Sequence, residues 1–346
     1  MKDHLFMIKK CLILLTLILA IGPFYTMVFA SEIDYTKGRF DPLDDSLILL
    51  NTEVNRRFKE VLQKVNKDKI DCHAVKFRKE LANAITNVDS ITPDWGVIES
   101  WAEGGIALDK YMNKLFPGRD STGVPRHESD PNTSIFKDAK GNYVFKRWGL
   151  GSNIQVNGHL IGTDKLGHFF DQGWTYFRDK VKNGRADEEI FHQGRTNEQN
   201  EDGNKSNGQV ANADLAANYY GFQFWKKVAD GNDAYFKCKD GKWSQDRTFT
   251  WADYVRPSWD EGINCNEYVP DIEESVKKNI RELNEKPENK SKNRKFDCPM
   301  SEEGCLAAFN EPQSIHYVHT KCYALGRKLY SARSKTESKV SAGQSK

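Results

Sequence analysis

Apolar residues recur at helical spacing in five stretches of the chain. In the first, Leu47, Leu50, Val54, Phe58, Val61 and Val65 step by three and four, with Arg56, Arg57, Lys59 and Glu60 between them. That period predicts an amphipathic helix. A second helix follows over about Ala74 to Ile85, and the two form a helical hairpin. Thr92-Pro93 is a cap followed by a first-turn proline. It opens a third stretch, Asp94 to Phe116, carrying Trp95, Ile98, Trp101, Leu108, Met112 and Leu115; Gly104-Gly105 breaks it and Pro117-Gly118 ends it. The fourth runs from Asp164 to Val181, with Leu166, Phe169, Phe170, Trp174, Phe177 and Val181 on one broad face. The fifth, capped by Asn212, carries Leu215, Tyr219, Phe222 and Val228, and Asp230-Gly231 stops it.

Two stretches read as strands. Asn157-Gly158 lies between Ile154-Gln155-Val156 and His159-Leu160-Ile161. An Asn-Gly pair between such runs is a strong hairpin signal, because both turn residues must tolerate positive φ. Ser134 to Trp148 reads as a second hairpin, turning near Lys140-Gly141-Asn142. Gly162 ends the first hairpin, and Thr163 is placed to cap the helix that follows. Asn183 to Gln209 is polar and without period, which suggests a functional or disordered connection; His192 within it reads as a surface histidine. Lys237 to Tyr268, with Trp251 to Glu261 inside it, reads as an ordered loop tied by a disulfide. The fold class expected is mainly α: an irregular helical domain with one or two small β-hairpins and a disulfide-tied C-terminal unit. The expected organisation is a signal peptide at 1–30, a helical core domain at 31–275, a charged linker at 276–297, a cysteine-containing unit at 298–330 and a disordered tail at 331–346.

The leader changes the charge picture. Lys2, Lys9 and Lys10 precede an apolar run from Cys11 to Ala20, and Val28-Phe29-Ala30 before Ser31 is a small-residue cleavage pattern. The competing reading is an uncleaved membrane anchor; no later segment is apolar enough to span a bilayer. Cleavage after Ala30 removes those three lysines and Asp3, leaving 48 basic and 48 acidic residues. Without a cationic field, nucleic acid is not the expected partner; envelope components are, in the periplasm or outside the cell. Cys72, Cys238, Cys265, Cys298, Cys305 and Cys322 remain, and in an exported chain they read first as disulfides. Proximity favours Cys238–Cys265 and one bridge within Cys298–Cys322. The alternative is a metal cluster of Cys298, Cys305, His316, His319 and Cys322, whose spacing matches no familiar zinc motif.

Candidate chemistry concentrates on the fourth helix. Asp164, His168, Asp171 and Thr175 fall on a narrow stripe nearly opposite the aromatic face. A carboxylate beside an imidazole fixes its tautomer and raises its basicity, which suits a general base or a metal ligand. The bland alternative is a solvated face in which Asp164 serves the helix dipole and His168 pairs locally. Gly167 and Gly173 inside the helix, and Gly221 in the fifth, cost stability unless another element packs close. Asp214 and Asn218 share a face of the fifth helix, so packing of the two helices brings them to Asp164, His168 and Asp171. The candidate metal ligands are His168, Asp164 and Asp214, for a divalent ion.

Gly162 to Trp174, G-T-D-K-L-G-H-F-F-D-Q-G-W, resembles uncharacterised exported bacterial envelope proteins, periplasmic-lipoprotein-like, that carry an Asp-Lys-x-x-His-Phe signature. Some carry a later segment like Asn212 to Tyr219, and the VanZ-like membrane family is more distantly similar. The resemblance implies Asp164, Lys165, His168, Asp214 and Asn218 as matching positions and an envelope location, and it implies no established activity. Two functions follow. One is a hydrolase-like enzyme with His168 as base or ligand, Asp164 or Asp171 orienting it, Asp214 as a second acid or ligand and Asn218 as a polarising donor. It would lack G-x-S-x-G and H-E-x-x-H motifs. The other is a non-catalytic envelope binding or structural protein in which the same residues form a buried polar network.

Overall fold

The computed structural model describes residues 32–88, 96–104, 122–200 and 203–329. The leader, the Thr92-Pro93 helix start, the part of the third stretch from Gly105 onward and the tail at 331–346 lie outside these residues. The described chain is mainly helical. Helices α1 (Leu47–Lys67) and α2 (Ala74–Ile85) form the expected hairpin, followed by α3 (Val97–Ala102) and a short α4 (Val144–Trp148). The stripe Leu50, Val54, Phe58, Val61 and Val65 is the buried side of α1. Strands β1 (Asn153–Val156) and β2 (His159–Gly162) pair antiparallel, with Asn157 at φ 52° and Gly158 at φ 77°. Asp45 anchors the turn by accepting from both its N–H groups, at 3.1 and 2.9 Å.

Strand β2 leads directly into the central helix. This begins as α5 (Asp164–Gly167), widens into a π-helical turn at His168–Gln172, and continues as α6 (Gly173–Asn183). Helix α7 (Asp187–Asn200) follows, then β3 (Gln209–Val210) and α8 (Asn212–Lys227). The hairpin β4 (Phe236–Lys239) and β5 (Lys242–Gln245) packs on α1 and α2; Trp243 stacks on Phe77 with ring centroids 4.2 Å apart. Strand β6 (Glu267–Tyr268) pairs with β3, and α9 (Pro270–Glu285), α10 (Pro287–Ser291) and α11 (Glu302–Phe309) complete the labelled elements. Residues 320–329 are also helical.

The core centres on the contact between the central helix and α8. Phe169 and Phe170 reach Phe224, Phe249 and Trp251, and Phe169 also touches Tyr254 and Trp259. The helices touch backbone to backbone. A Cβ on Gly221 would lie 1.9 Å from the Phe169 carbonyl oxygen, and one on Gly173 would lie 2.6 Å from the Gly221 carbonyl carbon. A smaller second core gathers Ile33, Tyr35, Phe136, Phe145, Leu150 and the buried face of α9.

Several expectations are corrected. Ser134 to Trp148 is not a hairpin: turns lead into α4, and Asp271 on α9 accepts the Lys140 and Gly141 N–H groups at 3.0 Å, holding that turn against a helix. The polar stretch after Asn183 is largely helical, because Asp187, Glu188 and Glu189 favour the start of α7 and Ile190 and Phe191 give it two buried anchors. The 276–297 segment holds much of α9, whose Val276 and Ile280 are buried, so charge density there marks an exposed helical face. The disulfides are Cys72–Cys238, Cys265–Cys298 and Cys305–Cys322. The expected bridge within Cys298–Cys322 forms between Cys305 and Cys322, but Cys238–Cys265 does not form. The hairpin carries Cys238 to the α2 start, and sequence proximity gives no account of that fold-back. These bridges occupy all the cysteines of the alternative metal cluster.

Gly221→Ala is expected to destabilise the protein by about 1–3 kcal/mol, the usual cost of forcing an extra methyl into a packed contact. It is read as a lower urea midpoint, and an unchanged midpoint would show that the helices have room to separate.

Candidate functional site

The site begins where hairpin and helix meet. Thr163 does not cap the helix: its backbone is already helical and its hydroxyl donates to the buried Glu103 carboxylate. Asp164, Lys165 and His168 then project from the first turns, all buried. Helix α8 supplies Asp214 and Asn218 from the opposite side, as the shared-face argument requires. The loop after Trp259 supplies Glu261, and the first described residue, Glu32, closes the cluster.

Lys165 is 0 % exposed, and its Nζ lies 2.7 Å from Asp164 Oδ2 and 2.6 Å from Asp214 Oδ1. It also pairs with Glu261, whose other oxygen accepts from Asn266 Nδ2 at 2.8 Å. Asp214 bridges two cations, with Oδ2 3.1 Å from His168 Nε2. On the far side of the ring, His168 Nδ1 donates to Asn218 Oδ1 at 3.0 Å, and Asn218 Nδ2 donates to the Tyr176 hydroxyl at 3.2 Å. Asn207 and Gln209 hold Glu32 through their amide nitrogens.

Comparison of the chain with known protein families, characterised proteins and solved structures returns no match.

Four buried carboxylates (Glu32, Asp164, Asp214, Glu261) face two cationic groups, Lys165 and His168. Burial penalises every charge, and the neighbours decide which survive. It pushes Asp164 up to about 6 and Glu261 up to about 7, against the pull of Lys165. Glu32 is raised well above the usual carboxylate range by burial and by Asp214 and Glu261. For Asp214 burial is overcome by His168 and Lys165, which hold it below its ordinary value. Burial opposes the His168 imidazolium too, but the Asp214 carboxylate wins and raises it to about 10. With both ring nitrogens facing oxygen acceptors, the ring is an imidazolium in this arrangement. It becomes a base or a ligand only when the Nε2 proton is displaced. Two groups of side chains have ligand atoms close enough to share a cation, Asp164–His168–Asp214 and Glu32–Asp164–Glu261. The buried Asp–His–Asp group is thus able either to bind a metal or to form a polar network.

Asp171 is not part of this convergence. The π turn displaces it towards α3 and the chain at Asn87, whose N–H reaches Asp171 Oδ1 at 3.4 Å, while Oδ2 is buried with no partner among the described residues. Gly167 lies where Glu99 packs: a Cβ there would meet Glu99 Oε2 at 2.3 Å. Thr175 turns its hydroxyl back to the Asp171 carbonyl. Sequence reasoning missed Glu32, Glu99, Glu103 and Glu261. Glu99 and Glu103 lie one turn apart beside Ile98 and Ala102, and acids flanked by apolar residues were the available signal. Nothing local marks Glu32.

Burial pushes Asp171 up to about 8 from a usual 3.8. The folded state therefore keeps a proton that the unfolded chain releases near pH 4, and stability contributed at this position falls as pH rises from about 4 to 8. Asp171→Asn removes that loss. The variant should match the wild type near pH 4 and be the more stable at pH 8, in urea unfolding at both pH values; a constant difference across the range would refute the assignment.

Proposed function

We propose that the chain is an exported envelope protein that binds one divalent metal ion through Asp164, His168 and Asp214, with metal-assisted hydrolysis as the class of activity. The observation that carries this reading is the orientation of His168. Asn218 holds Nδ1 as a donor, which leaves Nε2 to point at Asp214 Oδ2. A metal-ligating histidine is typically fixed by such a bond on its other nitrogen. The 3.1 Å between Nε2 and Oδ2 falls within the roughly 3.0–3.4 Å that separates two ligand atoms at bonds of about 2.1 Å around one octahedral or tetrahedral ion. A metal would replace the Nε2 proton, and His168 would then be a neutral ligand. Three protein ligands leave positions for water, the arrangement of hydrolytic rather than structural sites. The π turn at His168 fits too, since such turns recur at functional sites.

The envelope part of the reading rests on the basic-then-apolar leader and on three disulfides, which persist in oxidising compartments. No helix among the described residues is long and apolar enough to cross a membrane. In this reading the Asp-Lys-x-x-His-Phe signature is the metal-binding element.

A second reading is favoured by Lys165. Its ammonium already engages Asp164, Asp214 and Glu261, so the cluster also stands as a buried ion network that fixes how the central helix meets α8.

Metal content decides between them. Oxidised mature protein purified in the presence of zinc or manganese should carry one equivalent, lost in His168→Ala. Asn218→Leu should weaken metal affinity by about 10–100-fold while the protein stays folded. Wild-type protein that holds no metal under these conditions, with His168→Ala merely less stable, would leave the network reading.

A further inference from the structure

The all-oxygen group Glu32–Asp164–Glu261 shares Asp164 with the proposed metal centre. Two carboxylate groups joined by a common Asp are the framework of a two-cation site. Here the second position already holds a cation of the chain's own. Lys165 Nζ pairs with Asp164 and Glu261 and extends to Asp214. We propose that the Lys165 ammonium takes the place of a second metal ion, so that the site is built for two cations and accepts one from solution.

Three observations carry this. First, Lys165 is 0 % exposed, so its charge serves only groups inside the protein. Second, an ammonium has three N–H groups, and three carboxylates surround this one. It has no donor left for a substrate, which makes Lys165 a positioning residue rather than a catalytic one. Third, buried amides hold the all-oxygen group in place. Asn207, Gln209 and Asn266 are nine-tenths or more buried, press their amide nitrogens on Glu32 and Glu261, and each leaves its amide oxygen without a partner among the described residues. The carboxylate oxygens of Glu32, Asp164 and Glu261, without nitrogen or sulfur, form a hard-cation set, suited to calcium, magnesium or manganese. A fixed ammonium has an advantage over an ion at that position. It keeps Asp164 and Asp214 aimed at the neighbouring metal whatever the supply of a second metal.

This inference rests partly on the metal-centre reading, and one experiment separates their failures. Metal content is measured on the oxidised full-length mature protein as wild type, Lys165→Met, and Lys165→Met with Glu32→Gln, after dialysis against zinc, manganese or calcium. Melting temperatures are recorded with and without each ion. Lys165→Met should bind one more equivalent of manganese or calcium than the wild type and melt higher when that ion is present. The added Glu32→Gln should abolish the gain. A wild type with no metal beside a Lys165→Met protein with one would sink the metal-centre reading and leave standing only that the Lys165 ammonium fills a cation position. Equal content in the two, or loss of all metal from Lys165→Met, would overturn the inference and leave the wild-type result to judge the metal centre. If Lys165→Met does not fold without metal, refolding in calcium or manganese should recover it, and no recovery in either ion would count against the proposal.

Discussion

A lysine with no exposure to water governs this structure. An ammonium moved into a protein interior costs several kcal/mol even after relaxation, and only close, well-placed anions return that cost. Lys165 gets them from three parts of the chain: its neighbour Asp164, Asp214 on α8 and Glu261 in the loop after Trp259. Each of those segments must therefore meet at one point. The contact at Gly173 and Gly221 lets the two helices come close enough, since a single methyl on Gly221 would strike the Phe169 carbonyl. The aromatic cluster around Phe169 excludes water from one side, which makes the charges interact more strongly where they meet.

The parts that were legible in the sequence are those encoded by local period or local turn chemistry. The α1 stripe, the α2 helix and the Asn157-Gly158 hairpin stand where their patterns put them, and the helical glycines Gly167, Gly173 and Gly221 mark real close approaches. The convergence of Asp164, His168, Asp214 and Asn218 was legible because two helices each display polar residues one turn apart. The π turn could not be read from the pattern. It changes the helical phase at His168–Gln172, which is why Asp171 leaves the stripe on which regular spacing places it. The β4–β5 hairpin carried a readable sign, Asp240-Gly241, both with positive φ. The disulfide partners and the roles of Glu32 and Glu261 depend on chain segments far apart in sequence, and no window of the chain contains that information.

The C-terminal region does more than staple the fold. Cys265–Cys298 fixes the strand that follows Asn264 and Asn266, and Asn266 is the donor that orients Glu261. Asn264 hydrogen-bonds the Ser258 and Tyr317 carbonyls, tying the loop that bears Glu261 to the Cys305–Cys322 segment. Sequence order separates a core from a C-terminal unit, whereas in space the latter braces one wall of the charged cluster.

The span of that cluster has a consequence for how the protein is made. Glu32 is among the first residues of the described chain to be synthesised, and its amide partners Asn207 and Gln209 follow 175 and 177 residues later. Glu261 comes later still. A growing chain can complete its α1–α2 hairpin early, but Lys165 stays without its full set of counter-charges until the segment beyond Trp259 has emerged. Contacts this distant in sequence form slowly, because a long loop must close before they contribute anything. The nascent protein thus spends its assembly with the Phe169 aromatics uncovered, a condition that favours aggregation or a need for chaperones.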